Sequence, residues 1–375
     1  MIEERKHIYC SSFCEMDNRI YGSSMNFNGL VVYYKDERKS RFLDRFPNEG
    51  YDAWRLHSFV LKEGVFLYFI PDRSKYIHIY DTSNDCFDSV DVCAGGRINA
   101  TTAIMSNGHI IFASIDQREL IVFDIKNREL SHIALPENST IITEIVEKNG
   151  FIYMADKKKD CIYECDINNH YVKIINLKAE GKGFGTIATD GKLIYLSGEK
   201  SITMYSNDGF EQRAIEYPVN YGMQILQGES IRFVSGFRDI EDRFEKPFAF
   251  SRLIDNRLFL FPFRTNMIIR IDLLNGFQSN EFPVVGENET MESLSSQLRI
   301  THCHYLPADS SRNTEVSFVS TCTKKIYKLG MDLKLRDFEM IIDNDEDLYR
   351  DDHGYMIREE GVDGTLNDFI NTILR

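Results

Sequence analysis

Residues 107–136 read NGHIIFASIDQRELIVFDIKNRELSHIALP, and this stretch decides the fold. Asn107-Gly108 is a two-residue hairpin signal, because a type I′ turn needs positive φ at both central positions. The strand after it, 109–115, carries two apolar sets: Ile110 and Phe112 on one face, Ile111, Ala113 and Ile115 on the other. The turn Asp116-Gln117-Arg118 follows, and residues 119–125 repeat the pattern, Ile121, Phe123 and Ile125 opposing Leu120 and Val122. A strand apolar on both faces belongs to a sheet covered on both sides. Residues 129–135 are more polar, as an outer edge is. No helical stretch intervenes, so the cover must be other sheets.

The unit recurs in order. Turns at Asp17-Asn18, Glu63-Gly64, Asn107-Gly108, Asn149-Gly150, Asp190-Gly191 and Asp255-Asn256 precede the strands RIYGSS, VFLYFI, HIIFAS, FIYMAD, KLIYLS and RLFLFP. Gly64, Gly108, Gly150 and Gly191 are 44, 42 and 41 residues apart, and a weaker seventh copy covers 315–320 and 325–329. A four-stranded unit repeating every ~40–45 residues has the spacing of a β-propeller blade, and blades bury one another. Across about residues 8–341 the repeats resemble the β-propeller superfamily. The Trp-Asp ending of WD40 blades and the paired glycines of kelch blades are missing. The expectation is an all-β, seven-bladed β-propeller over 1–341 with an insertion at about 219–246. Residues 342–375 form an acidic tail and a short C-terminal helix, with Leu366, Phe369, Ile370 and Ile373 on one face. Blades one and seven each supply four strands, so no swapped strand closes the ring.

The net charge of −14 comes from 44 basic and 58 acidic residues, and residues 341–375 alone hold ten acids against three bases. That balance argues against nucleic acid, whose binding surfaces need clustered cations. Residues 1–10 show no leader and no apolar run approaches a membrane span, so a cytoplasmic protein without a membrane partner is expected. Eight cysteines in such a chain read as reduced thiols. The pairs Cys10/Cys14 and Cys161/Cys165 fall on strands as small buried hydrophobes.

Metal and cofactor motifs fail on spacing. Asp343-x-Asp345-x-Asp347 begins like an EF-hand loop but has Leu348 where glycine is needed and Gly354 where a bidentate glutamate is needed. The run 181–185, GKGFG, lacks the P-loop interval and reads as a flexible entry loop. His302 and His304 share a strand face and read as packing or channel-lining residues, with no third metal ligand identifiable. No metal and no cofactor is expected. No Ser/His/Asp set or paired carboxylate stands out either.

The face pattern is more informative. Turns between second and third strands carry Arg73, Lys75, Arg118, Lys157, Lys158, Lys159, Lys200, Arg264, Lys324 and Lys325. Blade connections and inner-strand starts share that face and add Arg55, Arg97, Lys182, Arg252 and Arg299. The expected ligand site is therefore Trp54, Arg55, His57, Arg97, Arg252, Arg299 and His302, a stacking platform with several cations, roofed partly by the insertion. It suits a protein partner or an anionic small molecule, carbohydrate included. Two classes remain open: a non-catalytic interaction or ligand-sensing propeller, and an enzyme working at the channel mouth on a sugar or other anionic small molecule.

Overall fold

The computed structural model describes residues 6–7, 10–25, 27–51, 53–92, 98–114, 117–178, 183–198, 201–217, 248–262, 267–274, 278–283, 305–307, 315–320, 325–330, 334–339 and 341–342. Within them the chain makes seven four-stranded antiparallel sheets, each a meander of consecutive strands. Their first strands are Cys10–Met16, His57–Glu63, Ala100–Ser106, Ile142–Lys148, Thr186–Thr189, Phe248–Ile254 and Tyr305–Pro307. Each first strand neighbours the next, and the last neighbours Cys10–Met16, so the sheets stand in a ring. This is a β-propeller. The insertion at 219–246 and the expected helix at 364–374 lie outside the described residues.

Alternation along the strands builds the core as the sequence implies. Ile110, Phe112, Ile121 and Phe123 pack with blade two, while Ile111, Ala113, Leu120 and Val122 pack with blade four. Equivalent clusters join blades one and two, four and five, and five and six. Each fully buried aliphatic or aromatic side chain contributes about 1.5–3 kcal/mol. The hairpin turns have the geometry their residues require: φ is 49° and 75° at Asn107 and Gly108, 55° and 84° at Asn149 and Gly150.

Two repeated devices shape the blades. The first strand bulges near its start in blades one, two, three, four and six, between Cys10 and Ser12, His57 and Phe59, Ala100 and Thr102, Ile142 and Glu144, and Phe248 and Phe250. A bulge bends a strand and increases its twist, which suits strands crowding a common axis. The turn after the third strand follows an Asp-x-x-Asn pattern. Asp81, Asp124 and Asp166 accept from backbone and side chain of Asn84, Asn127 and Asn169. Hydrogen bonds hold all three carboxylates below their usual range: Asp81 falls to about 2, first through the Ser83 hydroxyl and then through Asn84, while Asn127 and Asn169 lower Asp124 and Asp166.

Blades one and seven do each supply four strands. The ring is nonetheless fastened across its seam. Glu15 on the first strand of blade one pairs with Lys328 on the third strand of blade seven and with Lys35. In addition Lys6–His7 pairs antiparallel with Ile341–Ile342, which lies beside Lys39–Asp44, the outer strand of blade one.

Candidate functional site

The connection from blade one to blade two is clamped onto the turn between the second and third strands of blade two. The Leu56 carbonyl accepts from the backbone N–H groups of Asp72, Arg73 and Ser74 at 2.8, 3.3 and 3.2 Å. Blade four repeats the arrangement, with Lys157 N–H donating to the Ile141 carbonyl and the fully buried Asp156 carboxylate accepting from Thr140, Lys158, Lys159 and Tyr163. Connections and these turns therefore share one face, as the sequence pattern requires. Of the run at 181–185 only residues 183–185 are described, and Gly183 is held closely there. Gly183, at φ 64°, puts its α-carbon where an added Cβ would meet the Lys157 backbone at 2.3 Å, and its N–H donates to Asp160 at 2.9 Å. Gly183→Ala should destabilise the fold by at least about 2 kcal/mol, read as a lowered denaturation midpoint with an unchanged slope.

On that clamped connection the Arg73 guanidinium stacks 3.5 Å from the Trp54 ring centre, and Arg45 sits 4.7 Å from that of Tyr51. Arg55 takes the left-handed region at φ 51° and pairs with the buried Asp72 carboxylate. Trp54 and Arg55 thus stand together on the rim, partly exposed.

His57, one residue past the clamp, turns inward. It is fully buried between blades one and two, edge-on to Phe46 at 4.4 Å. Its Nδ1 lies 2.8 Å from Ser23 Oγ and its Nε2 2.8 Å from His78 Nδ1; His78 Nε2 lies 2.8 Å from the Pro47 carbonyl. A carbonyl only accepts, so His78 Nε2 carries hydrogen, and neutrality of both rings then fixes the direction. Ser23 donates to His57, His57 to His78, and His78 to Pro47. Burial keeps both rings neutral: His57 is held well below its usual range and His78 falls to about 4. This site residue serves the packing of two blades.

Arg252 lies on the first strand of blade six, with blades seven and one between it and Trp54. It donates to the Ser251 carbonyl at 2.7 Å and reaches Glu144 Oε1 at 3.3 Å. Glu144, on the first strand of blade four, is 5% exposed. Its carboxyl accepts from Ile187 N–H of blade five at 2.9 Å and from Ser251 N–H of blade six at 3.0 Å, with Ser251 Oγ at 2.8 Å. One carboxyl therefore fills the N–H groups that two inner strand edges turn toward the axis. Burial raises it to about 7, against the pull of Arg252 and these donors. Nothing at sequence level beyond its being one of two glutamates in an inner strand, ITEIVEK, marks it. His78 likewise shows only as a histidine between two isoleucines in YIHIYD.

Arg97, Arg299, His302 and the insertion at 219–246 lie outside the described residues. So do Lys200, Arg264 and Lys324 of the turn cations; Lys75, Arg118 and Lys158 are exposed on the rim. Among the described residues no group of three His, Cys, Asp or Glu side chains is placed to hold a metal. Cys10, Cys14, Cys161 and Cys165 are buried thiols outside any disulfide, and Cys86 is an exposed one. No described helix is long and apolar enough to cross a membrane.

Solved β-propellers share this architecture. Virginiamycin B lyase from Staphylococcus aureus superposes with a TM-score of 0.60 at 11% identity, over 88% of this chain and 96% of its own. The WD40 domain of Neurospora crassa Pan2 does so at 0.56 and 12%, over 86% and 88%, and U3-55K at 0.54 and 10%, over 85% and 90%. At such identities the likeness establishes the fold. No protein-family model and no curated protein sequence matches the chain.

Proposed function

We propose that the chain is a binding propeller, a protein-interaction module whose clamped rim receives an anionic partner. WD40 and other propeller neighbours support an interaction module in general. The observation carrying the finer reading is the polarity of the disc. Arg73, Lys75, Arg118 and Lys158 crowd one face of blades two to four, beside Trp54 and Arg55, while the Asp-x-x-Asn turns load the opposite face with carboxylates. Cations gathered on one rim of an acidic protein focus negative ligands there and speed their encounter. The ligand class is a carboxylated, phosphorylated or acidic polyhydroxylated group presented by a protein or a small molecule. The proposed site also takes in Arg97, Arg252, Arg299 and His302, of which Arg252, on the first strand of blade six, is the one among the described residues. The five described thiols, four of them buried and all outside any disulfide, suit a reducing compartment, and we place the module in the cytoplasm.

The test is a titration with inorganic phosphate, a polyglutamate peptide and a uronic acid at low and high salt. At least one should bind with salt-sensitive affinity. Lys75→Glu, Arg118→Glu and Lys158→Glu together should abolish that binding, each costing within about 0.5 kcal/mol of stability. Binding of none of the probes, or binding indifferent to the triple reversal, sinks the reading.

A further inference from the structure

The first strand of blade six passes close enough to that of blade four for Glu144 to reach across the short first strand of blade five, Thr186–Thr189. Ser251 Oγ lies 2.8 Å from Glu144 Oε2 and 3.0 Å from the Ile187 carbonyl. A hydroxyl has one hydrogen and a carbonyl only accepts, so this chain of bonds can run two ways. With Glu144 ionised, Ser251 donates to the carboxylate. With Glu144 protonated, Oε2 donates to Ser251 Oγ, and the serine hydrogen passes to the Ile187 carbonyl. The N–H groups of Ile187 and Ser251 keep carboxyl oxygens as acceptors in both cases. The cluster therefore holds either protonation state without stranding a donor. Burial, which raises the carboxyl to about 7, puts the exchange between the two states near neutral pH.

Among the described residues the one charged partner of Glu144 is Arg252. The first strands of blades three and five, ATTAIMS and TIAT, bring no titratable side chain. On the second strand of blade three, His109 bonds to the Asn107 carbonyl at the hairpin end. On the second strand of blade four, Asp156 is turned to Thr140 and Tyr163, and Tyr153 to Glu164. Further along Glu144's own strand, Glu147 and Lys148 bond to Gly150 and Asn207. Arg252 spends only Nη1 on its two partners, the Ser251 carbonyl and Glu144 Oε1. Its guanidinium lies 5.4 Å from the centre of the Phe250 ring, and the side chain is 36% exposed. Nε and Nη2 meet no partner among the described residues, which leaves a planar edge of donors suited to an oxyanion. An anion held there repels an ionised Glu144 across the shared guanidinium, and a like charge drives a carboxylate to take up a proton.

We propose that Arg252 and Glu144 form a proton-coupled anion site: an oxyanion binds along the Nε–Nη2 edge of Arg252, and Glu144 takes up one proton from solvent as it binds. This rests on the reading of the chain as a binder of anionic groups, and adds that Arg252 takes them together with a proton. The probe is sulfate, whose charge is constant from pH 6 to pH 9, titrated calorimetrically into the full chain in two cationic buffers of different ionisation enthalpy. Affinity should fall about tenfold from pH 6 to pH 9, and binding at pH 7.5 should take up about half a proton. Glu144→Gln, which cannot ionise, should bind as tightly at pH 9 as at pH 6, with no proton uptake. A general loss of positive charge with rising pH would persist in that variant. Arg252→Met should lose the binding at pH 6. Should the glutamine variant fail to fold, proton uptake by the parent and the methionine variant still decide. The proposal is overturned if sulfate does not bind at pH 6, if the parent binds it without proton uptake, or if Glu144→Gln keeps the parent's pH dependence. It is also overturned if the reversal of Lys75, Arg118 and Lys158 abolishes the proton-linked binding while Arg252→Met leaves it intact, and the rim reading then stands. The reverse pattern upholds it and removes the rim cations from the site.

Discussion

His57→Ala should cost about 4 kcal/mol, enough to leave much of the chain unfolded at physiological temperature. The change removes a fully buried ring packed against Phe46 and Phe69. It also strands the Ser23 hydroxyl and His78 Nδ1, and an orphaned buried polar group carries its own desolvation penalty of about 1–3 kcal/mol. Urea denaturation followed by fluorescence reads the effect; a loss under about 1 kcal/mol would mean that water replaces the ring. The same residues govern the acid limb. Both folded histidines stay neutral while the unfolded chain protonates them near pH 6.5, so the unfolded state binds more protons below that pH and stability falls as pH drops toward 4. His78 alone accounts for up to about 3 kcal/mol across that window.

Glu144→Ala should be comparably severe, about 3–5 kcal/mol, because it leaves Ile187 N–H, Ser251 N–H and the Arg252 guanidinium without their shared acceptor at once. Glu144→Gln keeps an acceptor oxygen of the same reach and should cost about 1 kcal/mol. The sign of the pH effect is opposite to that of the histidines. A carboxyl raised from 4.5 to about 7 in the folded state adds stability that is fully present below 4.5 and is lost as pH rises through 7. In the parent this partly masks the histidine loss between pH 6.5 and 4.5, so the glutamine variant should show a steeper acid slope. Equal slopes in parent and variant would show that Glu144 is ionised throughout.

The recurrence of hairpin, apolar strand and polar outer strand made the propeller legible, because each signal is local: two turn residues, a period of two, a spacing near 42. Face assignments at 110–113 and 120–123 followed from the same period and hold residue by residue. The site was legible only as a face. Trp54 and Arg55 were placed on the rim because they precede an inner strand. One step further, at His57, the strand's alternation decides between the channel and the neighbouring blade, and spacing alone does not choose between them. Glu144 was invisible for a related reason. Its partners lie 43 and 107 residues away, and sequence pattern carries no signal for an acid that fills the edges of two other sheets. The Asp-x-x-Asn turns, by contrast, were present in the sequence at Asp81, Asp124 and Asp166 and could have been read beforehand.

The fastening between Glu15 and Lys328 has a kinetic side. Within a blade every pairing joins strands separated by a short turn, so each sheet can zip up by fast, local hairpin formation. The pair that joins blade seven to blade one links positions more than 300 residues apart, and its loop-closure entropy is met only when the intervening sheets have already assembled. Assembly should therefore proceed as propagation around an open arc, with a late step in which the two ends of the arc meet. Disassembly should start at that junction, by parting blade one from blade seven while blades three and four stay zipped. Slow amides at 110–112 and 152–154, with faster exchange along 10–16 and 326–329, are the signature such an arc would leave.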